Sequence, residues 1–223
     1  MITAHDLVSR LRDDLATIEQ RLFTHPWVAA VEAGRLSRNG LILFATQQDR
    51  IIRSDLKSVA LLVHRYAGTG SGDFFGESLK TEAAALAALG RFVQALGAEA
   101  TPAESRPLAG AQAYTHFVAY LALYGSDAEF AAAFLVNLPA WGKNCGRLAK
   151  ALRARYGMDD AGVVFFDLFA GEAPGFAEAA LAVIQGGLER GVSPAAIGDA
   201  ASLLQQYELM YWDTLWTASG AGA

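Results

Sequence analysis

The chain has 223 residues, 53% of them hydrophobic and only 18% charged, with a net charge of −5. That length and apolar content suffice for a large buried core in one domain, whereas 18 Lys plus Arg against 23 Asp plus Glu, with no basic block, argue against a nucleic-acid partner. One cysteine excludes an internal disulfide and a cysteine-based metal cluster supplied by a single chain.

In chain order, Leu7, Leu11, Leu15, Ile18 and Leu22 form one apolar stripe and predict a helix over 5–22. His25 and Pro26 mark a break and restart, because proline suits a first helical turn better than an interior. The short segment PWVAAVEAG ends at Gly34, and Ser37 caps a long run that continues to about Ala67 and is closed by GTGSGD. A further helix covers about 73–96, and GAEATPAESRP after it reads as a loop. Another helix spans 108–124. Ser126 with Glu129 has capping-box spacing for a long segment, 127–156, closed by Gly157.

The run VVFFDLFAG fits a strand or a buried helix, and its helical surroundings favour helix. PGFAEAALAVIQGGLERG follows, and Ser193 with Pro194 launches the last helix to about residue 217. The expectation is a single all-α domain over 1–223, a bundle of seven or eight helices. No window approaches the roughly 18 consecutive apolar residues that span a bilayer, and MITAHDLVSRLRDD mixes charges of both signs where a secretion signal has an apolar run. A cytoplasmic protein with no membrane partner is therefore expected.

Function is sought in polar residues caught on apolar faces. Asp49 falls in the stripe Ala45, Asp49, Ile52, Leu56 and Val63, and Glu208 in the stripe Leu204, Glu208, Tyr211 and Leu215. A carboxylate in such a place needs hydrogen-bonding partners or a raised pKa. Tyr114 shares a face with Phe117, Val118 and Leu121. Two carboxylates and a phenol between apolar walls describe a pocket for a small polar heterocycle, in which carboxylates accept ring N–H or amino protons and aromatic side chains stack on the ring.

Plainer readings compete. Asp49 can pair with Arg53 or Arg147, and His25 can serve as a helix cap. The aromatic cluster Phe165, Phe166, Phe169, Tyr211, Trp212 and Trp216 reads as core, with Phe169 or Tyr211 able to face a ligand. His5, His25, His64 and His116 show no ligand spacing, so no metal site is expected. Gly142 and Gly146 have the spacing for close helix contact, and GKNCG lacks the features of a phosphate loop.

Four segments, in this order, carry a resemblance: FTHPWVAAVEAGRLS (23–37), QQD (47–49), YTHFVAYLALYGSDAEFAAAFLVNLPAW (114–141) and YELMYWD (207–213). The chain resembles the TenA family, which includes thiaminase II, within the group of helical proteins having the haem-oxygenase-like fold. The similarity runs from about residue 3 to 217. It implies a single helical domain assembled as a homodimer or homotetramer, with no cofactor and a deep pocket for an aminopyrimidine. It also implies that Asp49 holds the ring nitrogen and amino group, that Glu208 takes part in proton transfer, and that Tyr114 lines the site. The family's reaction cleaves thiamin between pyrimidine and thiazolium, or removes the amino group of a thiamin breakdown product. Its nucleophile is a cysteine directly after a proline.

Here the residue after Pro139 is Ala140. Cys145 lies five positions on, roughly 140° around a regular helix. Asn144 stands where the family offers an aromatic residue, and Phe169 replaces a tyrosine. Covalent catalysis needs a thiolate within about 3.5 Å of the electrophilic carbon, so NLPAWGKNC reads as a pocket wall, with Ala140, Trp141 and Asn144 beside the ligand and Cys145 in the packing.

Three functions remain open. In the first, Glu208 or Asp49 activates water for hydrolysis or deamination of an aminopyrimidine, with Tyr211 and Phe169 completing the walls. In the second, the protein binds or senses a small heterocycle without turnover, and Lys143 signals a more anionic ligand. The third is a quinone-cofactor oxidase, which wants more histidine and arginine than the sequence offers.

Overall fold

The computed structural model describes residues 2–97, 106–171 and 173–220; most of the predicted GAEATPAESRP loop lies outside them. Among the described residues there are nine α-helices and no strand. They are α1 (Ala4–Phe23), α2 (Pro26–Glu32), α3 (Arg38–Arg65), α4 (Gly72–Ala95), α5 (Ala109–Tyr124), α6 (Asp127–Tyr156), α7 (Asp160–Phe169), α8 (Phe176–Glu189) and α9 (Pro194–Ala218). The count exceeds the expected seven or eight because α2, only seven residues long, and α7, the ambiguous VVFFDLFAG run, are both separate helices.

Local chemistry sets most of the boundaries. Thr3, Ser37, Asp159 and Ser193 each accept a hydrogen bond from a first-turn backbone N–H. Ser126 and Glu129 form the predicted capping box at the start of α6. Gly157 ends that helix at φ 65°, a left-handed conformation that glycine adopts without steric cost. His25 caps α2: its Nδ1 accepts from the Trp27 N–H at 3.2 Å, so the proton sits on Nε2, which donates to Asp213 Oδ1 at 3.1 Å. Burial lowers the His25 pKa, and Asp213 opposes that shift.

Helix α6 passes through Pro139 without ending. A proline has no N–H for the carbonyl four residues back. That carbonyl, on Leu135, instead accepts from Arg12 Nη2 of α1 at 3.4 Å, and Gln205 Nε2 of α9 donates to Val136 O at 3.3 Å. The interrupted helix is thus supported by its two neighbours.

Helix α3 packs on α4 and α5, α5 and α6 pack on α9, and α7 fills the space between α4 and α6. Burial divides into two apolar clusters. One gathers Trp27, Phe44, Phe92, Phe165, Phe166 and Trp212; the other gathers Phe75, Phe130, Ala131, Ala132 and Leu204. Tyr114 touches both.

Candidate functional site

A narrow cavity of about 60 Å³ draws its walls from six helices, smaller than the roughly 300–1,000 Å³ of most small-molecule sites. Helix α3 contributes Gln48, Ile51, Ile52 and Asp55, which lie along one face, and α4 contributes Glu82. Tyr114 comes from α5, and Phe134, Asn137, Leu138 and Trp141 from α6. Phe169 closes the α7 side, and Glu208 and Tyr211 complete the lining from α9. Trp141 meets Phe169 edge-on at 6.0 Å and Tyr211 at 6.5 Å between ring centroids.

Glu208 is 2% exposed, yet both its oxygens accept hydrogen bonds. Trp212 Nε1 donates to Oε1 at 3.0 Å and Asn137 Nδ2 to Oε2 at 2.5 Å. Burial raises its pKa to about 7, and these two donors hold the rise back. Asn137 is the hub of a network: its Nδ2 also donates to Gln205 Oε1 at 3.0 Å, and its Oδ1 accepts from the Tyr114 hydroxyl at 3.3 Å.

On the opposite wall, Asp55 is 3% exposed and accepts from the Thr115 hydroxyl. Burial drives its pKa up and Thr115 restrains it. Glu82, partly open to solvent, is raised as well, by desolvation first and then by the neighbouring charge of Asp55. Two close carboxyls cannot both ionise cheaply in such a place, so the pair retains a proton above the usual carboxylate range. Tyr114 lies within electrostatic reach of all three acids, and desolvation together with Asp55, Glu208 and Glu82 raises its pKa well above its ordinary value.

Of the residues predicted from sequence, Tyr114, Trp141, Phe169, Tyr211 and Glu208 come together on this cavity. Asp49, Ala140 and Asn144 do not. Asp49 lies one position along α3 from the lining residue Gln48, and its Oδ2 accepts from Arg53 Nε at 2.7 Å. Ala140 is fully buried in the apolar cluster around Trp27. Next to Trp141, helix α7 comes close to α6. A Cβ on Gly142 would stand 2.5 Å from the Phe169 carbonyl oxygen, so the close contact expected of that glycine is real. One turn further, Asn144 donates to Leu22 O at 3.0 Å and accepts from Arg147, tying α6 to the end of α1.

Cys145 is fully buried, does not line the cavity, and has a pKa pushed well up by burial and then by Glu208. Lys143 sets its ammonium 4.3 Å over the Phe23 ring and is not part of the lining, which removes the reason to expect an anionic ligand. Asp55, Glu82 and Asn137 are the residues that sequence reasoning missed. Asp55 carried a readable signal, because Leu41, Ala45, Gln48, Ile52, Asp55, Val59 and Leu62 alternate steps of four and three and are all buried. Among the described residues no group of three or more His, Cys, Asp or Glu side chains is placed to hold a metal ion.

The architecture is shared with solved all-helical structures. A domain of unknown function with a haem oxygenase-like fold from Shewanella denitrificans OS217 superposes with a TM-score of 0.75 at 14% identity, over 94% of this chain and 92% of its own. A TenA homologue from Pyrococcus furiosus gives 0.74 at 17% identity, over 94% and 99%. A TenA family transcription regulator from Silicibacter sp. TM1040 gives 0.72 at 16%, over 96% of each chain. At these identities the likeness defines the fold alone: an all-α, haem-oxygenase-like bundle. The sequence goes further, since the profile of the TENA/THI-4/PQQC family matches residues 12–218, and the chain belongs to that family. No curated protein sequence matches it.

Proposed function

We propose that the cavity binds an aminopyrimidine or a similar small amino-heterocycle and that Glu208 serves as the acid–base group for its hydrolysis or deamination by water. The observation that carries this reading is the Glu208 carboxyl itself. It is buried on an aromatic-walled cavity, oriented at both oxygens, and raised to about 7, where it can both accept and return a proton near neutral pH. In deamination, Glu208 takes a proton from water as the oxygen adds to the ring carbon bearing the amino group. It then delivers that proton to the departing nitrogen, which leaves as ammonia. Tyr114, fixed by Asn137, steadies the charge that develops on the ring.

Membership of the family supports a small-molecule ligand, and the position of the thiol supports a route without covalent catalysis. Ala140 offers no nucleophile, and Cys145 is neutral and lies behind the wall. The same alanine favours a second reading, a binding protein that has lost turnover.

Incubating the protein with thiamin and a panel of aminopyrimidines, while following ammonia and the free thiazole, separates the two. Turnover by the wild type that Glu208→Gln abolishes, with binding retained, supports the enzyme. Saturable calorimetric binding with no product supports the binding protein. No binding and no product across the panel would remove both.

A further inference from the structure

We propose that Asp55 and Glu82 act as one carboxyl pair that receives the cationic N–H face of the ligand, an amidinium-type or protonated amino-heterocyclic group, and releases a proton on binding it. The inference rests on the reading of this cavity as a ligand site and adds the charge of the ligand and the side chains that select it. Asp55 on α3 and Glu82 on α4 line one wall, with Glu208 contributing a third carboxyl from α9. No Lys, Arg or His among the described residues lines the cavity, and residues 98–105, 172 and 221–223 include none of these types. Three carboxyls without a basic partner need their positive charge from elsewhere, and protons supply it while the cavity is free of a cation.

A second observation points the same way. Tyr211, on the same lining and 2% exposed, has a buried hydroxyl with no hydrogen-bond partner among the described residues. The large majority of buried side-chain polar atoms have a hydrogen-bond partner. Tyr114, Phe134, Trp141 and Phe169 share the lining, and aromatic rings attract a cation that reaches their faces.

The groups facing the pair are Tyr114 from α5 and Glu208 and Tyr211 from α9; α6 and α7 present Asn137, Trp141 and Phe169, which do not titrate. Raised pKa values on the pair mean that it retains a proton at neutral pH. When a cation enters, the O–H bond of the protonated carboxyl breaks, its proton passes to solvent, and both carboxylates accept N–H hydrogen bonds from the ligand. Affinity for a permanently charged amidinium then rises with pH until the pair is ionised.

Benzamidine and its neutral near-isostere benzamide are suitable probes, measured by calorimetry on the whole chain in buffers of different ionisation enthalpy. Benzamidine should bind tighter by about ten- to a hundredfold, as charge-assisted hydrogen bonds imply. Its apparent heat should change with the buffer, reporting proton release, and its affinity should climb from about pH 6 to about pH 9. Asp55→Asn and Glu82→Gln should each erase the preference. Equal binding of the two probes, a buffer-independent heat, or preference retained in both pair variants overturns the proposal; the proton count in the wild type needs no variant to fold. If aminopyrimidines bind or turn over while benzamidine shows no preference, the cation inference falls and the proposed function stands. If benzamidine binds with proton release while no aminopyrimidine binds, the reverse holds.

Discussion

The two walls of the cavity bury carboxyls in different ways. On the α6–α9 wall, Glu208 is held at both oxygens, and its donor Asn137 is itself fixed by Tyr114 and by Gln205, which in turn bonds the α6 backbone. On the α3–α4 wall, Asp55 and Glu82 stand as neighbouring acids, with Thr115 restraining the first. Similar desolvation therefore yields an oriented proton carrier on one side and a charge-seeking pair on the other. On the proposed function, chemistry falls to the wall with fixed geometry and ligand selection to the wall with unmet charge.

The largest expected effect comes from removing the hub of the ordered wall. Asn137→Leu leaves the Tyr114 hydroxyl, Gln205 Oε1 and one oxygen of Glu208 without their partner in the interior, and should cost about 3–5 kcal/mol, lowering Tm by roughly 10 °C. The same change should move the Glu208 pKa still higher, because a donor that lowers it is lost. If the variant melts like the wild type, the ordered wall is not ordered by Asn137.

A smaller loss tests the contact between α6 and α7. Gly142→Ala should cost about 1–3 kcal/mol, partly offset by alanine's better helix propensity, because the added methyl meets the Phe169 backbone rather than a flexible side chain. A fluorescence change at Trp141 would report the displaced α7 end. A variant as stable as the wild type would show that α7 can give way there.

Stability against pH probes both walls together. The folded pKa values of Asp55, Glu82 and Glu208 lie above their unfolded values, so the folded state binds more protons and stability falls as pH rises. Their stabilising effect is complete below about pH 4 and is lost as pH climbs through about 7 to 8. Glu32, lowered chiefly by its hydrogen bonds from Arg147, acts in the opposite sense at more acid pH, and His25, lowered by burial, offsets part of the decline below about pH 7. Thermal melts from about pH 5 to about pH 8 should therefore decline, and Asp55→Asn should flatten the slope. A rising wild-type curve would contradict the protonated state of both walls.

The smallest effect belongs to Asp49. Its partner Arg53 is 59% exposed, so Asp49→Asn should change stability by less than about 0.5 kcal/mol and leave probe binding unaltered. A large loss of aminopyrimidine affinity would return Asp49 to the site.

The helices were legible because their signals are local. Ser126 with Glu129, Ser193 with Pro194, and His25 with Pro26 each fix a boundary within a few residues. Glu208 was legible for the same reason, standing in an otherwise apolar stripe. Asp49 misled because two stripes on α3 share Ala45 and Ile52. One continues through Leu56 and Val63, which are only partly buried, and the other through Asp55, Val59 and Leu62, which are buried. Side-chain pattern along one helix does not tell which stripe meets α5 and α9. Glu82 sits in a comparable row with Phe75, Ala85, Leu89 and Phe92, among alanines that blur the period. Asn137 was missed because an uncharged amide in a helix gives no sign of its role until Tyr114, Gln205 and Glu208 are brought around it.

The central claim is that three carboxyls in one cavity titrate near neutral pH, above the usual carboxylate range. A carboxyl-carbon NMR titration of the wild type, with assignments from Asp55→Asn, Glu82→Gln and Glu208→Gln, tests it directly. The account predicts three resonances that titrate well above the others, with Glu208 near pH 7. Ionisation of all three by about pH 5, alongside the surface carboxylates, would contradict it.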